Sequence, residues 1–91
     1  MNFYVKERLF EKDGEFIKLT NLESIFLKQF KNKKFVEFEE LASVMYDSDV
    51  KLYIDPMKEV KYRVCKKCDL LCIPRYKKGY VMITDINFVE E

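Results

Sequence analysis

The sequence predicts an α+β fold: a pair of strands opens the chain, three helices follow, and a second pair of strands closes it. Three observations predict this order. Asp13-Gly14 sits between two short segments of mixed apolar and polar residues, a strong signal for a tight hairpin. Thr20 and Glu23 stand in the S/T-x-x-E spacing of a capping box, at the start of a long stretch with helical apolar spacing. A basic turn, Arg75-Tyr76-Lys77-Lys78-Gly79, separates the last two apolar runs. Ninety-one residues with 48% apolar and 15% aromatic side chains suffice for one small core, so the whole of 1–91 is expected to be a single folded domain rather than a disordered chain.

In chain order, residues 2–18 read as an N-terminal β-hairpin. Phe3, Val5 and Leu9 face inward, Lys6 and Arg8 outward, and Glu15-Phe16-Ile17-Lys18 returns after the turn. The three helices fall within 20–69. The first is capped by Thr20 and buries Leu22, Ile25, Phe26 and Phe30, with Leu27 or Gln29 at the margin. The cluster Lys31-Asn32-Lys33-Lys34 closes it, where cations suit the negative end of the dipole. Phe35-Val36 is a buried connection. The second helix spans roughly 37–46, with Phe38, Leu41, Ala42 and Met45 on its apolar face and Glu37, Glu39 and Glu40 in its first turn. Asp47-Ser48-Asp49 stops it. Val50, Leu52 and Ile54 alternate with Lys51, Tyr53 and Asp55, so 47–55 reads as an extended connector. Asp55 then caps a third helix with Pro56 at its first position, and Met57, Val60, Val64, Cys68 and Leu71 form its apolar stripe. Residues 70–84 form two strands around the basic turn. The acidic tail, 85–91, is expected to fray.

Charge narrows the function. The total is +1, but residues 51–78 hold nine basic and three acidic side chains, whereas 1–50 hold eight and ten. A local basic patch attracts phosphate even on a nearly neutral chain, and binding of that kind weakens readily with salt. The third helix shows Lys58, Tyr62, Arg63 and Lys66 opposite its apolar stripe, with Lys61 and Lys67 on the flanks. Arg75, Tyr76, Lys77 and Lys78 form the hairpin tip. A basic helix fits the major groove of a duplex and a basic hairpin reaches the neighbouring backbone. In that arrangement Arg63 reads guanine and Lys66 holds a phosphate. The bland alternative is a solvated helix face and a charged hairpin tip.

Other chemistries find little support. There is no histidine, no nucleophile–base pair and no glycine-rich phosphate loop, so an enzyme is not expected, nor is a cofactor. Cys65, Cys68 and Cys72 are weak metal candidates: three thiols within eight residues fall short of the four ligands of a structural zinc site. Cys68 lies on the apolar stripe, where cysteine acts as a small hydrophobe. An odd cysteine count argues against a disulfide framework. No apolar run is long enough to cross a membrane, and the first residues lack the pattern of a signal peptide, so a cytoplasmic protein is the default expectation.

The element order is that of a winged helix-turn-helix with an added N-terminal hairpin, the C-terminal hairpin being the wing. At the level of residues, about 10–83 resembles the OmpR/PhoB-type winged-helix output domain of bacterial response regulators. Asp13-Gly14 followed by Leu19-Thr20-x-x-Glu23 is similar to that family's approach to its first helix. Val36, Glu39-Glu40-Leu41 and Val44-Met45-Tyr46 sit where it has its second helix. Arg63 to Cys68 falls without a gap on its recognition helix, and Arg75 with Gly79-Tyr80 resembles its wing. The chain departs from the pattern at Glu37 (serine in the family), Tyr46 (tryptophan), Lys61 (apolar) and Cys65 (arginine), and its wing lacks the first glycine and is one residue longer. The resemblance implies a small transcription regulator that binds double-stranded DNA as a homodimer or tandem pair. It further implies a free-standing output domain without a receiver, and an approach to RNA polymerase through 47–55, with Asp47, Asp49 and Lys51 as the charged candidates. The alternative is a protein-binding module on the same scaffold, such as a phage or mobile-element protein acting on a host enzyme. A thiol-metal module stands third.

Overall fold

The structure, a computed structural model, describes residues 1–47 and 50–90, with side chains for all of these except 50–53. It is an α+β fold with three helices and two sheets. The elements are β1 (Asn2–Tyr4), β2 (Leu9–Lys12), β3 (Glu15–Lys18), α1 (Asn21–Lys28), β4 (Phe35–Glu37), α2 (Phe38–Tyr46), α3 (Val50–Cys68), β5 (Cys72–Arg75), β6 (Gly79–Met82) and β7 (Asn87–Val89).

The opening segment is not one hairpin but a three-stranded meander. Arg8, at φ 54°, turns the chain between β1 and β2, and Asp13-Gly14 turns it again between β2 and β3. Within the tail, Asn87–Val89 form a strand instead of fraying, and Glu91 lies outside the described residues. Residues 87–89 pair in parallel with β1, giving a four-stranded sheet of order β3-β2-β1-β7. Acidity suggested fraying, but Phe88 decides the outcome. The register lines up Ile17, Phe10, Phe3 and Phe88 across one face, and the Phe88 ring meets Phe3 edge-on at 5.8 Å. Lys31 and Glu90 form an ion pair that helps hold the returning strand.

In α1 both halves of the capping box form: the Glu23 amide donates to Thr20 Oγ1 and the Thr20 amide donates to Glu23 Oε1. The buried stripe is Glu23, Phe26, Leu27 and Phe30, rotated by about one residue from the apolar stripe of the sequence. Leu22 and Ile25 are only half-buried, and Leu27 is fully enclosed. A charged residue takes the place of Leu22 in the core.

The Phe35-Val36 connection is a strand. β4 pairs antiparallel with β6, and β6 with β5, giving a second sheet of order β4-β6-β5. Gly79 permits this approach: a Cβ there would meet the Val36 carbonyl oxygen at 2.2 Å and Glu37 Cα at 2.8 Å. Glu37 makes no side-chain cap for α2, and the Phe38 amide instead donates to the Lys78 carbonyl at 2.6 Å. Asp47 ends α2 in the left-handed region at φ 51°.

The largest correction concerns α3. It is already helical at Val50, so Pro56 lies inside the helix and not at its first position. Positions 50, 54 and 57 satisfy helical spacing just as 50, 52 and 54 satisfy strand alternation. Continuity with Met57, Val60, Val64 and Cys68 makes the helical period the longer and better-supported one. At its far end Asp69 adopts φ 54° and the Leu70 amide donates back to the Cys65 carbonyl at 2.9 Å, closing a Schellman-type cap. Leu71 therefore leaves the stripe and is exposed. The buried residues of the helices and both sheets form one cluster, from Phe3 and Phe10 through Phe26, Leu41 and Val64 to Tyr80 and Met82.

Candidate nucleic-acid interface

The face of α3 is set by its core stripe. With Met57, Val60, Val64 and Cys68 buried, a helical period of 3.6 turns Lys58, Tyr62 and Lys66 to the outside. Arg63 and Lys67 fall on the flank toward α1, and Lys61 and Cys65 on the flank toward the β5–β6 hairpin. The six cationic and aromatic side chains expected to work together therefore divide into three groups.

The outer group stays in solvent. Tyr62 is 58% exposed, and the Lys66 ammonium lies over its ring, 5.7 Å from the centroid. Lys58 has no carboxylate partner among the described residues. On the hairpin side, Lys61 is half-buried and sits over the Tyr80 ring at 5.6 Å. Tyr80 is held between Phe38, at 5.0 Å, and Phe26, at 6.0 Å. Burial pushes its phenol up to about 12, so it stays neutral and acts as an apolar wall. Phe38, Lys58, Lys61, Tyr62, Pro74 and Tyr80 together line an open cleft of about 280 Å³ between α3 and the hairpin. Its floor is aromatic and its rim carries two ammonium groups.

The third group, Arg63 and Lys67, is exposed but lies beside a buried carboxylate. Glu23, though charged, is fully enclosed. Lys67 Nζ donates to its Oε1 at 2.7 Å, and Arg63 Nε stands 3.4 Å from Oε2. Burial alone raises the carboxyl. The hydrogen bonds from Lys67 and the Thr20 amide, with the charges of Lys67 and Arg63, outweigh it and hold the group below its ordinary value. Sequence reasoning placed Arg63 on the open face of α3, Lys67 on its flank and Glu23 in a cap; Arg63 and Lys67 are exposed as expected, and what it missed is their pairing with Glu23. The available signal was spacing: α1 brings a carboxylate to the flank of α3 that carries Arg63 and, four residues on, Lys67.

At the hairpin tip Tyr76 is 77% exposed, and its ring meets Phe35 edge-on at 6.2 Å. Tyr76 and Lys77 both have positive φ, 57° and 54°, as the central residues of a type I′ turn do, and the Lys78 amide donates to the Arg75 carbonyl. Arg75, Lys77 and Lys78 have no carboxylate partner among the described residues. Lys77 and Lys78 nevertheless share a cleft of about 250 Å³ with Glu37 and Glu39, which lowers the local positive potential on that side.

The thiols lie inside the fold. Cys68 is fully buried, and burial pushes its thiol up to about 12. Cys65 and Cys72 face each other: the hydrogen bond between them holds Cys65 below the usual thiol range and Cys72 above it. Among the described residues no group of three or more metal-ligating side chains is gathered as a metal would need. No helix of the described residues is long and apolar enough to cross a membrane. Of the charged candidates for a polymerase contact, Asp47 is exposed at the end of α2, Asp49 lies outside the described residues, and Lys51 is described in its backbone alone.

No protein-family profile, curated protein or solved structure matches this chain.

Proposed function

We propose that the chain is a winged helix-turn-helix domain that binds double-stranded DNA, with α3 in the major groove and the β5–β6 hairpin on the adjacent backbone. One observation carries the reading: Lys58 and Tyr62 on α3 face Pro74 and Tyr80 of the hairpin across a single cleft, so helix and hairpin form one concave rim. Lys58 lines that cleft, and Lys58, Lys66 on the same outer face of α3, and Arg75, Lys77 and Lys78 at the hairpin tip have no carboxylate partner among the described residues. Lys66 and the tip lysines suit phosphate, and Tyr62 suits phosphate or sugar packing. A single domain with this few free cations binds weakly, so occupancy as a dimer or a tandem pair belongs to the same proposal. An approach to RNA polymerase through the segment 47–55 extends it.

The test is a fluorescence titration of the chain with random duplex DNA at two salt concentrations. Wild type gains affinity as salt falls, and Lys58→Ala and Lys66→Ala each weaken binding and reduce the salt slope by about one. Absence of any salt-dependent shift at low salt rejects the DNA reading.

One observation favours a second reading, a protein partner. The cleft floor of Phe38, Tyr62, Pro74 and Tyr80 is more apolar than a phosphate track requires, and its lysine rim complements an acidic peptide bearing an apolar anchor.

A further inference from the structure

The Glu23 cluster holds one carboxylate and two cations, and the two cations are not equivalent. Lys67 Nζ makes a 2.7 Å hydrogen bond to Oε1, the oxygen that also accepts from the Thr20 amide. Arg63 Nε reaches only 3.4 Å from Oε2, and that oxygen is buried with no hydrogen bond among the described residues. One ammonium already balances one carboxylate. The guanidinium is therefore surplus in charge and loose in geometry, on a side chain that is still 45% exposed. It also keeps its two terminal amino groups, the fork that reads guanine O6 and N7 or grips a phosphate.

We infer that Lys67 is the resident counter-ion of Glu23, and that the Lys67–Glu23 pair is a positioning device that leaves Arg63 free to read nucleic acid. This rests on the DNA reading proposed above. Lys67, which the sequence places among the DNA-facing cations, then touches no DNA itself. It acts by keeping the buried carboxylate from capturing Arg63. Without Lys67, Glu23 has one neighbouring cation left, and Arg63 must serve as its partner, because an unpaired buried charge is costly.

The experiment uses the full chain and a titration series of duplexes that vary one base pair at a time. Three single variants and two doubles suffice: Arg63→Met, Lys67→Met, Glu23→Gln, Lys67→Met with Arg63→Met, and Lys67→Met with Glu23→Gln. Gln at position 23 keeps the capping box, since Gln serves at that position as Glu does. Met at position 67 keeps the apolar stem. Arg63→Met is expected to lose roughly 5- to 150-fold affinity for the preferred base and to flatten preference at that position. Lys67→Met loses the same base preference, and adding Arg63→Met to it causes no further loss. Adding Glu23→Gln to Lys67→Met restores both affinity and preference, in a protein whose net charge equals that of wild type. Thermal melts read the other half: Lys67→Met lowers Tm more than Arg63→Met does.

Additive losses, or a Lys67→Met protein that Glu23→Gln does not rescue, would show that Lys67 contacts DNA itself and overturn the inference. Unchanged base preference in Arg63→Met overturns it as well, while a concurrent loss in Lys66→Ala leaves the DNA reading standing. A wild type that binds no duplex at low salt removes both.

Discussion

Glu23 is one residue with two duties. Its carboxylate closes the cap of α1 and, from a fully buried position, ties that helix to α3. The capping duty was legible, because Thr20-x-x-Glu23 is a local pattern. The second duty was not, because it depends on how α1 is rotated against a helix forty residues further on. The same limit hid the pairing of the exposed Arg63 and Lys67 with Glu23: spacing gives the face of a helix, but not what packs beside it. The duty has a measurable consequence. Glu23 titrates below its ordinary value near 4.5, so between that value and its folded pKa the native state binds fewer protons than the unfolded chain. The stabilisation is complete above about 4.5 and fades as pH falls through that value toward the folded pKa. Exposed carboxylates paired with lysines, such as Asp69 and Asp85, shift the same way and add to the slope. Glu23→Gln is expected to lower stability at neutral pH and to flatten its decline in acid. Urea melts from pH 7 down to pH 3 check this; parallel pH profiles for the two proteins refute the linkage.

Among the elements, apolar period placed the helices but misjudged the buried face of α1 by about one residue. α2 and the core stripe of α3 from Met57 to Cys68, though not Leu71, lie where the spacing put them, and the β5–β6 hairpin forms around the basic turn. Short strands were the weak point. β4 and β7 have three residues each, too few for a period to declare itself, and both are made by partners distant in sequence. Pro56 misled in a different way. It signals a helix start, yet here it sits in the seventh position of a nineteen-residue helix. An interior proline removes one ladder hydrogen bond and crowds the preceding turn, at a cost of about 3 kcal/mol in an ordinary helix. Packing of Met57, Val60 and Val64 sustains the helix across it. Pro56→Ala is therefore expected to stabilise the protein by about 1–3 kcal/mol, with a rise in helical circular dichroism. A loss of stability would mean that the fixed φ of Pro56 contributes more to this helix than the missing hydrogen bond costs it.

At the scale of the whole molecule, the two sheets are joined by one core and not by a linker. Phe3 and Phe10 of the four-stranded sheet belong to the same cluster as Val64 of α3 and Tyr80 of the three-stranded sheet. Anything proposed for the α3–hairpin rim therefore depends on the N-terminal sheet as well, although no rim residue lies in it. The fourth strand tests this coupling. Phe88 is half-buried and meets Phe3 edge-on, and it carries most of the apolar contact that β7 offers. Truncating a fully buried Phe costs about 3–5 kcal/mol, so a half-buried one is expected to cost about 2 kcal/mol. With one cooperative core, Phe88→Ala shifts the whole unfolding transition to lower urea. Amide signals of β1–β3 in nuclear magnetic resonance spectra and far-ultraviolet circular dichroism from the helices should then move together. Were the two sheets independent units, the variant would lose its N-terminal strands first, the two probes would separate, and the rim would stay folded at urea concentrations where β1 and β7 had already parted.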